Sequence, residues 1–223
     1  MAHGYSTYAG YVALSLDRVW SFIHLSRGIA LPTNNTFPSP EVYRGGPFPY
    51  DSMSLVLGYD AATRQLVGRG EADPRVFLCP VARLVPSWHD AAPLVGAGHD
   101  LHRVALVEPA VAAVLPPRLG PGRAAIVRFD PERVVVEGES EGDGLLVLSE
   151  AWYPGWRAAV RAAGSVRTVD CLPVNAWMRG VVVPPGKWEV DFFYRSRYLP
   201  LGAGVTLGAV LLLVWGLRTN RVR

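Results

Sequence analysis

The sequence predicts an α+β protein: a small N-terminal α/β layer, then an antiparallel β-sandwich, then one C-terminal transmembrane helix. Three observations predict it. From residue 103 onward, short apolar runs recur with turn signals between them, which is the pattern of strands in a sandwich. Ahead of them, helix-spaced and strand-like segments alternate, the mark of a mixed layer. Near the C-terminus, LPLGAGVTLGAVLLLVWGL runs from Leu199 to Leu217 without a charged residue, about the length that crosses ~30 Å of hydrocarbon as a helix.

Residues 1–49 read as a helix and a connection. Leu16, Val19, Trp20 and Ile23 share one helical face within Ser15 to Arg27, with Ser15 as cap and Gly28 as stop. Pro32, Pro38, Pro40, Pro47 and Pro49, with Gly45-Gly46, then predict an extended connection. Residues 50–102 read as a small α/β subdomain. Its strands are Ser52 to Leu57 and Thr63 to Val67, reversing at Gly58-Tyr59-Asp60, followed by the β-rich run Arg75 to Val85 and a helix capped by Ser87.

Residues 103–197 form the predicted sandwich, with strands VALVE, AIVRF, RVVVEG, LLVLSE, WRAAV, VRTVD, GVVV and WEVDFFY. The turns fall at Asp130-Pro131, Gly142-Asp143-Gly144, Pro154-Gly155, Ala163-Gly164 and Pro184-Pro185-Gly186. The last strand leads almost directly into the membrane segment, residues 198–218, so the sandwich is held close to the lipid bilayer. Gly202, Gly204 and Gly208 suit packing against other transmembrane helices, and Trp215, Tyr194 and Tyr198 suit the interfaces. Residues 219–223, with Arg218 just before them, make a basic tail for the cytoplasmic side. The alternative for the apolar stretch is a buried helix in a soluble core.

Composition narrows the partners. Half of the 223 residues are hydrophobic, and only 18% are charged against roughly 25% in ordinary soluble domains. The 22 Lys plus Arg scarcely exceed the 19 Asp plus Glu and are scattered, so nucleic acid is not expected as a partner. Cys79 and Cys171 are far apart and lack zinc-site spacing; they are either two buried thiols or one long-range disulfide. The first 20 residues lack the basic and apolar regions of a signal peptide. Export therefore rests on helices of a longer parent protein, or else the chain is tail-anchored.

Candidate chemistry is sparse. Trp152, Tyr153 and Trp156 bracket Pro154-Gly155 and could stack on a sugar ring, with Arg157, Asn175 and Arg179 bonding hydroxyls or phosphate. The competing reading makes the same rings a plug for the end of the core, and Asn175 a partner for backbone groups. His89, His99 and His102, beside Asp90 and Asp100, match no metal-ligand spacing, so no metal or other cofactor is expected. Glu137, Glu139, Glu141 and Asp143 read as a solvated acidic hairpin loop. No nucleophile motif or phosphate-binding loop occurs, and no catalytic residue is assigned.

The segment Leu145 to Phe193, LLVLSEAWYPGWRAAV followed by Asn175 and then RGVVVPPGKWEVDFFY, resembles the C-terminal extracytoplasmic region of YfhO-like bacterial membrane proteins. In that family a strand leads into a Tyr-Pro-Gly-Trp turn, an Asn-x-x-x-Arg-Gly-Val stretch, a Val-Pro-x-Gly hairpin and a strand before a transmembrane helix. The resemblance weakens upstream but continues through LVLGYDAATRQLV and RVFLCPVARLV, covering the chain from about Tyr50. It implies a polytopic parent similar to GT-C glycosyltransferases, which transfer sugars from polyprenyl-phosphate carriers to cell-envelope polymers. It also implies a place in the bacterial cytoplasmic membrane, with the bulk of the chain on the extracytoplasmic side. The family's catalytic carboxylate belongs to a first extracytoplasmic loop that has no match here, so the expected role is an accessory domain with an anchor. The alternative is a stand-alone membrane-anchored module binding glycan, an envelope polymer or a protein. An independent metallohydrolase is the weakest reading.

Overall fold

The computed structural model describes residues 25, 57–60, 65–68, 74–130, 132–195 and 199–220. The predicted connection over residues 31–49 lies outside them, as does the predicted N-terminal helix apart from Leu25, which is helical and half-buried against the core. Strands β1 (Leu57–Asp60) and β2 (Gln65–Gly68) form an antiparallel hairpin of their own. Gly58, Tyr59 and Asp60 are therefore strand residues and not the expected reversal. In its register Tyr59 pairs with Leu66.

The other strands make two sheets. Strands β3 (Val76–Cys79), β4 (Val81–Leu84), β5 (Val104–Val107), β8 (Gly144–Ala151), β11 (Leu172–Val174) and β12 (Met178–Val183) form one, in the order β3-β8-β12-β11-β5-β4. Strands β6 (Gly122–Asp130), β7 (Arg133–Ser140), β9 (Trp156–Ala162), β10 (Ser165–Asp170) and β13 (Gly186–Tyr194) form the second, in the order β10-β9-β13-β7-β6. Helix α1 (Trp88–Gly96) joins β4 to β5, and the short α2 (Pro109–Ala112) follows β5.

The second sheet is antiparallel throughout. The first is mixed, because β5 runs parallel to β4, which corrects the expectation of a purely antiparallel sandwich. The cause is α1: a helical crossover returns the chain in the same direction and so pairs its flanking strands in parallel. Sheet pairing also spans residue 102, with β3 against β8 and β4 against β5, so the α/β layer and the sandwich share one sheet.

Pro80 alone separates β3 from β4, yet the two occupy opposite edges of that sheet. Consecutive Cα atoms lie ~3.8 Å apart, so the sheet has to curl until its edges meet at Pro80. One core fills this cup: Phe77, Cys79, Leu145, Val147 and Met178 from the strands, capped by Ala91, Ala92 and Val95 of α1. The second core lies between the sheets, where Val76, Leu78, Leu146, Leu148 and Val181 meet Val136, Val160, Trp188, Val190 and Phe192. Alternate residues of β8 thus enter different cores, so LLVL is apolar without a break where the strands of the second sheet alternate. At ~1.5–3 kcal/mol per buried large side chain, these two layers dominate the favourable side of folding.

Two short turns shape the sandwich, one closing the β9–β10 hairpin and one carrying the chain from β8 in the first sheet to β9 in the second. Ala163 and Gly164 both take positive φ, +47° and +75°, between Ala162 and Ser165, which pair in β9 and β10. This is the backbone of a type I′ hairpin turn. Gly155 has φ +110°, and a Cβ there would lie 2.7 Å from the Tyr194 ring and 3.0 Å from the Arg195 carbonyl.

The last element is helix α3 (Leu199–Asn220), 22 residues long. Arg221 and Arg223 of the predicted basic tail lie outside the described residues. Side chains of α3 are described only for residues 202–212, a stretch shorter than a membrane crossing, and within the described residues no helix is long and apolar enough to cross a membrane.

Candidate functional site

One end of the sandwich gathers the chain's unusual side chains. Strand β8 finishes there at Ala151, the Tyr153–Trp156 turn starts β9, and β13 ends there at Tyr194. Because residues alternate along a strand, Trp156 points between the sheets while Arg157 points to the outer face of the second sheet. Trp156 is only 5% exposed, and the Arg179 guanidinium lies 3.7 Å above its ring centroid. Tyr153 and Tyr194 close the cluster, their centroids 6.0 and 5.7 Å from Trp156 and 5.1 Å from each other.

Arg179 lies on the same face of β12 as Val181 and Val183, and at the register shift between Met178 and Arg179 the β8 residues Ser149 and Glu150 fall between their partners Leu148 and Ala151. It is 4% exposed. Its Nη2 lies 3.6 Å from Glu150 Oε2, and Arg75 Nε lies 3.6 Å from the other oxygen of the same carboxylate. Arg179 Nε and Nη1 are buried without a hydrogen-bond partner, as is Trp156 Nε1. Burial pulls the guanidinium pKa below its ordinary value, and Glu150 opposes that shift. The neighbouring Cys171 thiol is pushed up to about 12 by burial, against the pull of Arg179. Cys79, in the other core, is pushed up to about 12 by its own burial, with Asp100 adding to the shift. Both cysteines are free thiols.

The six residues singled out from the sequence do not form one cluster. Tyr153, Trp156 and Arg179 are together. Trp152 adjoins them, half-buried, its Nε1–H donating to the Cys171 carbonyl at 2.7 Å. Arg157 is on the outer face, its Nε donating to Asp170 at 3.0 Å. Asn175 has no exposed surface: its amide oxygen accepts from Leu106 N–H at 2.8 Å, and its own N–H donates to the Leu106 carbonyl at 2.9 Å. It extends the β11–β5 pairing beyond Val174, and its φ of +53° suits Asn. The sequence reading missed Glu150, Arg75 and Tyr194 as members of the cluster; only the closeness of Glu150 to the aromatic turn hinted at it.

The other candidates are dispersed. The His89 ring stacks on Trp88, the His102 ring stacks on Phe77, and His99 Nε2 lies 3.0 Å from the Val104 carbonyl. Among the described residues no group of three His, Cys, Asp or Glu is placed to hold a metal ion. Glu137 and Glu139 are strand residues of β7, not loop residues as expected, because the β7–β13 ladder extends to Ser140. With Arg123, Arg161, Lys187 and Glu189 they line a shallow groove of about 790 Å³ on the outer face. No known protein family, curated protein or solved structure matches this chain.

Chemically, the cluster offers a buried cation with two unengaged N–H groups and one carboxylate. Both faces of a stacking platform are not free, since the guanidinium covers one side of Trp156. The nearest thiol, Cys171, is held protonated by its burial.

Proposed function

We propose that this chain is a membrane-anchored extracytoplasmic domain, an accessory part of a YfhO-like, glycosyltransferase-like envelope protein, without a catalytic centre of its own. The observation that carries the anchor is α3. Its 22 residues extend ~33 Å at 1.5 Å per residue, and the sequence has no charged side chain between Leu199 and Leu217. Where side chains are described, nothing covers them: Val205, Leu207, Val210, Leu211 and Leu212 are 49–73% exposed. Leaving five such side chains in water forgoes on the order of 10 kcal/mol, as much as the whole stability of a typical domain. The single hydroxyl between Leu199 and Leu217, Thr206 Oγ1, donates to the Gly202 carbonyl at 2.9 Å, the satisfaction within the helix that a bilayer requires.

The accessory role rests on the sequence resemblance and on a cluster whose groups serve packing and charge more readily than bond cleavage. Flotation of the full chain with phospholipid vesicles, followed by alkaline carbonate washing, tests the anchor. The chain should float and resist extraction; a monodisperse chain in detergent-free buffer that stays at the bottom of the gradient sinks the reading. The parental link predicts further hydrophobic helices encoded beside or in frame with this sequence.

A further inference from the structure

The two ends of the sandwich differ in chemistry, and only one of them can approach the bilayer. Residues 196–198 are all that lie between Arg195 and Leu199, so four peptide steps of ~3.5 Å limit that separation to ~14 Å. The headgroup layer on each side of the hydrocarbon is ~5–8 Å thick, so Arg195 lies within it or just above it. This bound rests on the anchor reading of α3 and on nothing about the path of the three residues.

The strand register shows what else is at that end. Asp130 pairs with Arg133, Arg133 with Phe193, Phe193 with Arg157 and Arg157 with Asp170, one row across the sheet. Beside this row, Phe129 is 44% exposed and Tyr194 is 38% exposed, with Tyr153 and Trp152 half-buried behind them. Arg133 is half-exposed; its Nε and Nη2 donate to Asp191. At the opposite end, from Phe193 to Lys187 along β13, about 20 Å away at 3.3 Å per residue, the exposed groups include Arg123, Glu141, Asp143, Ser165 and Lys187. No large aromatic side chain is exposed there among the described residues.

We propose that the end of the sandwich formed by the β6–β7 turn, the Tyr153–Trp156 turn and the last residues of β13 rests on the phospholipid headgroup layer. Phe129 and Tyr194 occupy the interface, where aromatic rings are favoured, while Arg133 and Arg195 lie at the depth of the lipid phosphates. The far end, where no large aromatic side chain is exposed among the described residues, faces water. The domain is thereby oriented as well as tethered, with the outer-face groove lined by Glu137, Arg161 and Glu189 standing upright above the membrane.

Single spin labels on the full chain in phosphatidylcholine–phosphatidylglycerol vesicles test this, using Phe129→Cys and Glu132→Cys at the near end and Glu141→Cys at the far end. Glu132 and Glu141 are exposed turn residues, so at least one label at each end sits where substitution does not disturb the core. The native thiols are buried, and the unsubstituted chain gives the background. In vesicle-bound protein the near-end labels should lose contact with a water-soluble nickel chelate that the 141 label retains. Equal chelate contact at both ends of a chain that floats overturns the docking and leaves the anchor intact. A chain that does not float overturns both.

Discussion

Replacing Arg179 by Met removes a buried cation while keeping a long, flexible side chain over Trp156. Arg179 is 4% exposed, and its Nε and Nη1 bond to nothing. Each unsatisfied buried donor costs ~1–3 kcal/mol, and burial of the charge adds several more. Against this stand the contact with the Trp156 ring, about 2 kcal/mol when desolvated, and attraction to Glu150. At 3.6 Å and an effective dielectric constant of ~20, that attraction is about 4–5 kcal/mol gross, and less once Glu150 is shared with Arg75 and partly solvated. The opposing sums nearly cancel, and Met regains a sulfur–aromatic contact of ~0.3–1.5 kcal/mol. Arg179→Met should therefore be neutral or stabilise by about 1–4 kcal/mol. Glu150→Gln, which leaves the cation without its nearest carboxylate, should instead destabilise by about 1–3 kcal/mol. Urea unfolding of the full chain in detergent, followed by tryptophan fluorescence, gives both values. A loss above about 2 kcal/mol for Arg179→Met would show that the guanidinium is held by partners the structure does not contain, and the reasoning fails.

Three further expectations follow from local geometry. Gly155→Ala forces a Cβ into a left-handed backbone against Tyr194 and should cost about 1–3 kcal/mol; an unchanged unfolding midpoint would contradict the turn geometry. Ala163→Asn places Asn-Gly in the type I′ turn and should stabilise by about 0.5–1 kcal/mol, which a lower thermal midpoint would refute. Cys79 and Cys171 are thiols whose pKa rises from 9.0 unfolded to about 12 folded, so the protonated form is the one the fold prefers. Their contribution is complete below pH 9 and declines as pH rises toward 12, by about 1.4 kcal/mol per pH unit for each thiol. Unfolding midpoints between pH 8 and 11 should fall less steeply in the Cys79→Ala/Cys171→Ala variant; identical slopes would remove the thiols from the account.

Much of the sandwich was legible because its strands declare their burial. RVVVEGES and GKWEVDFFY alternate enough to mark one buried face, and LLVL is apolar throughout because both of its faces are covered. Strand β11 escaped notice because Pro173 lowers its strand propensity; it is tolerated in a three-residue strand that meets β5 only at Val174. Within the cluster, the Trp-Tyr-Pro-Gly-Trp turn was visible as a local motif. The burial of Arg179 was not, since an arginine reads as a surface residue, although it shares a strand face with Val181 and Val183, which enter the core between the sheets.

The sequence by itself determined the order and kind of most sandwich strands, the short turns between them and the uncharged stretch after β13, because each depends on neighbours a few residues apart. Tertiary structure alone decided that β3 and β4 part at Pro80 to opposite edges of a curled sheet, and that β5 runs parallel to β4. It also brought Arg75, Glu150, Arg179 and Tyr194 to one end of the sandwich. Those outcomes depend on which distant surfaces exclude water from one another, and local propensity and periodicity carry no record of that choice.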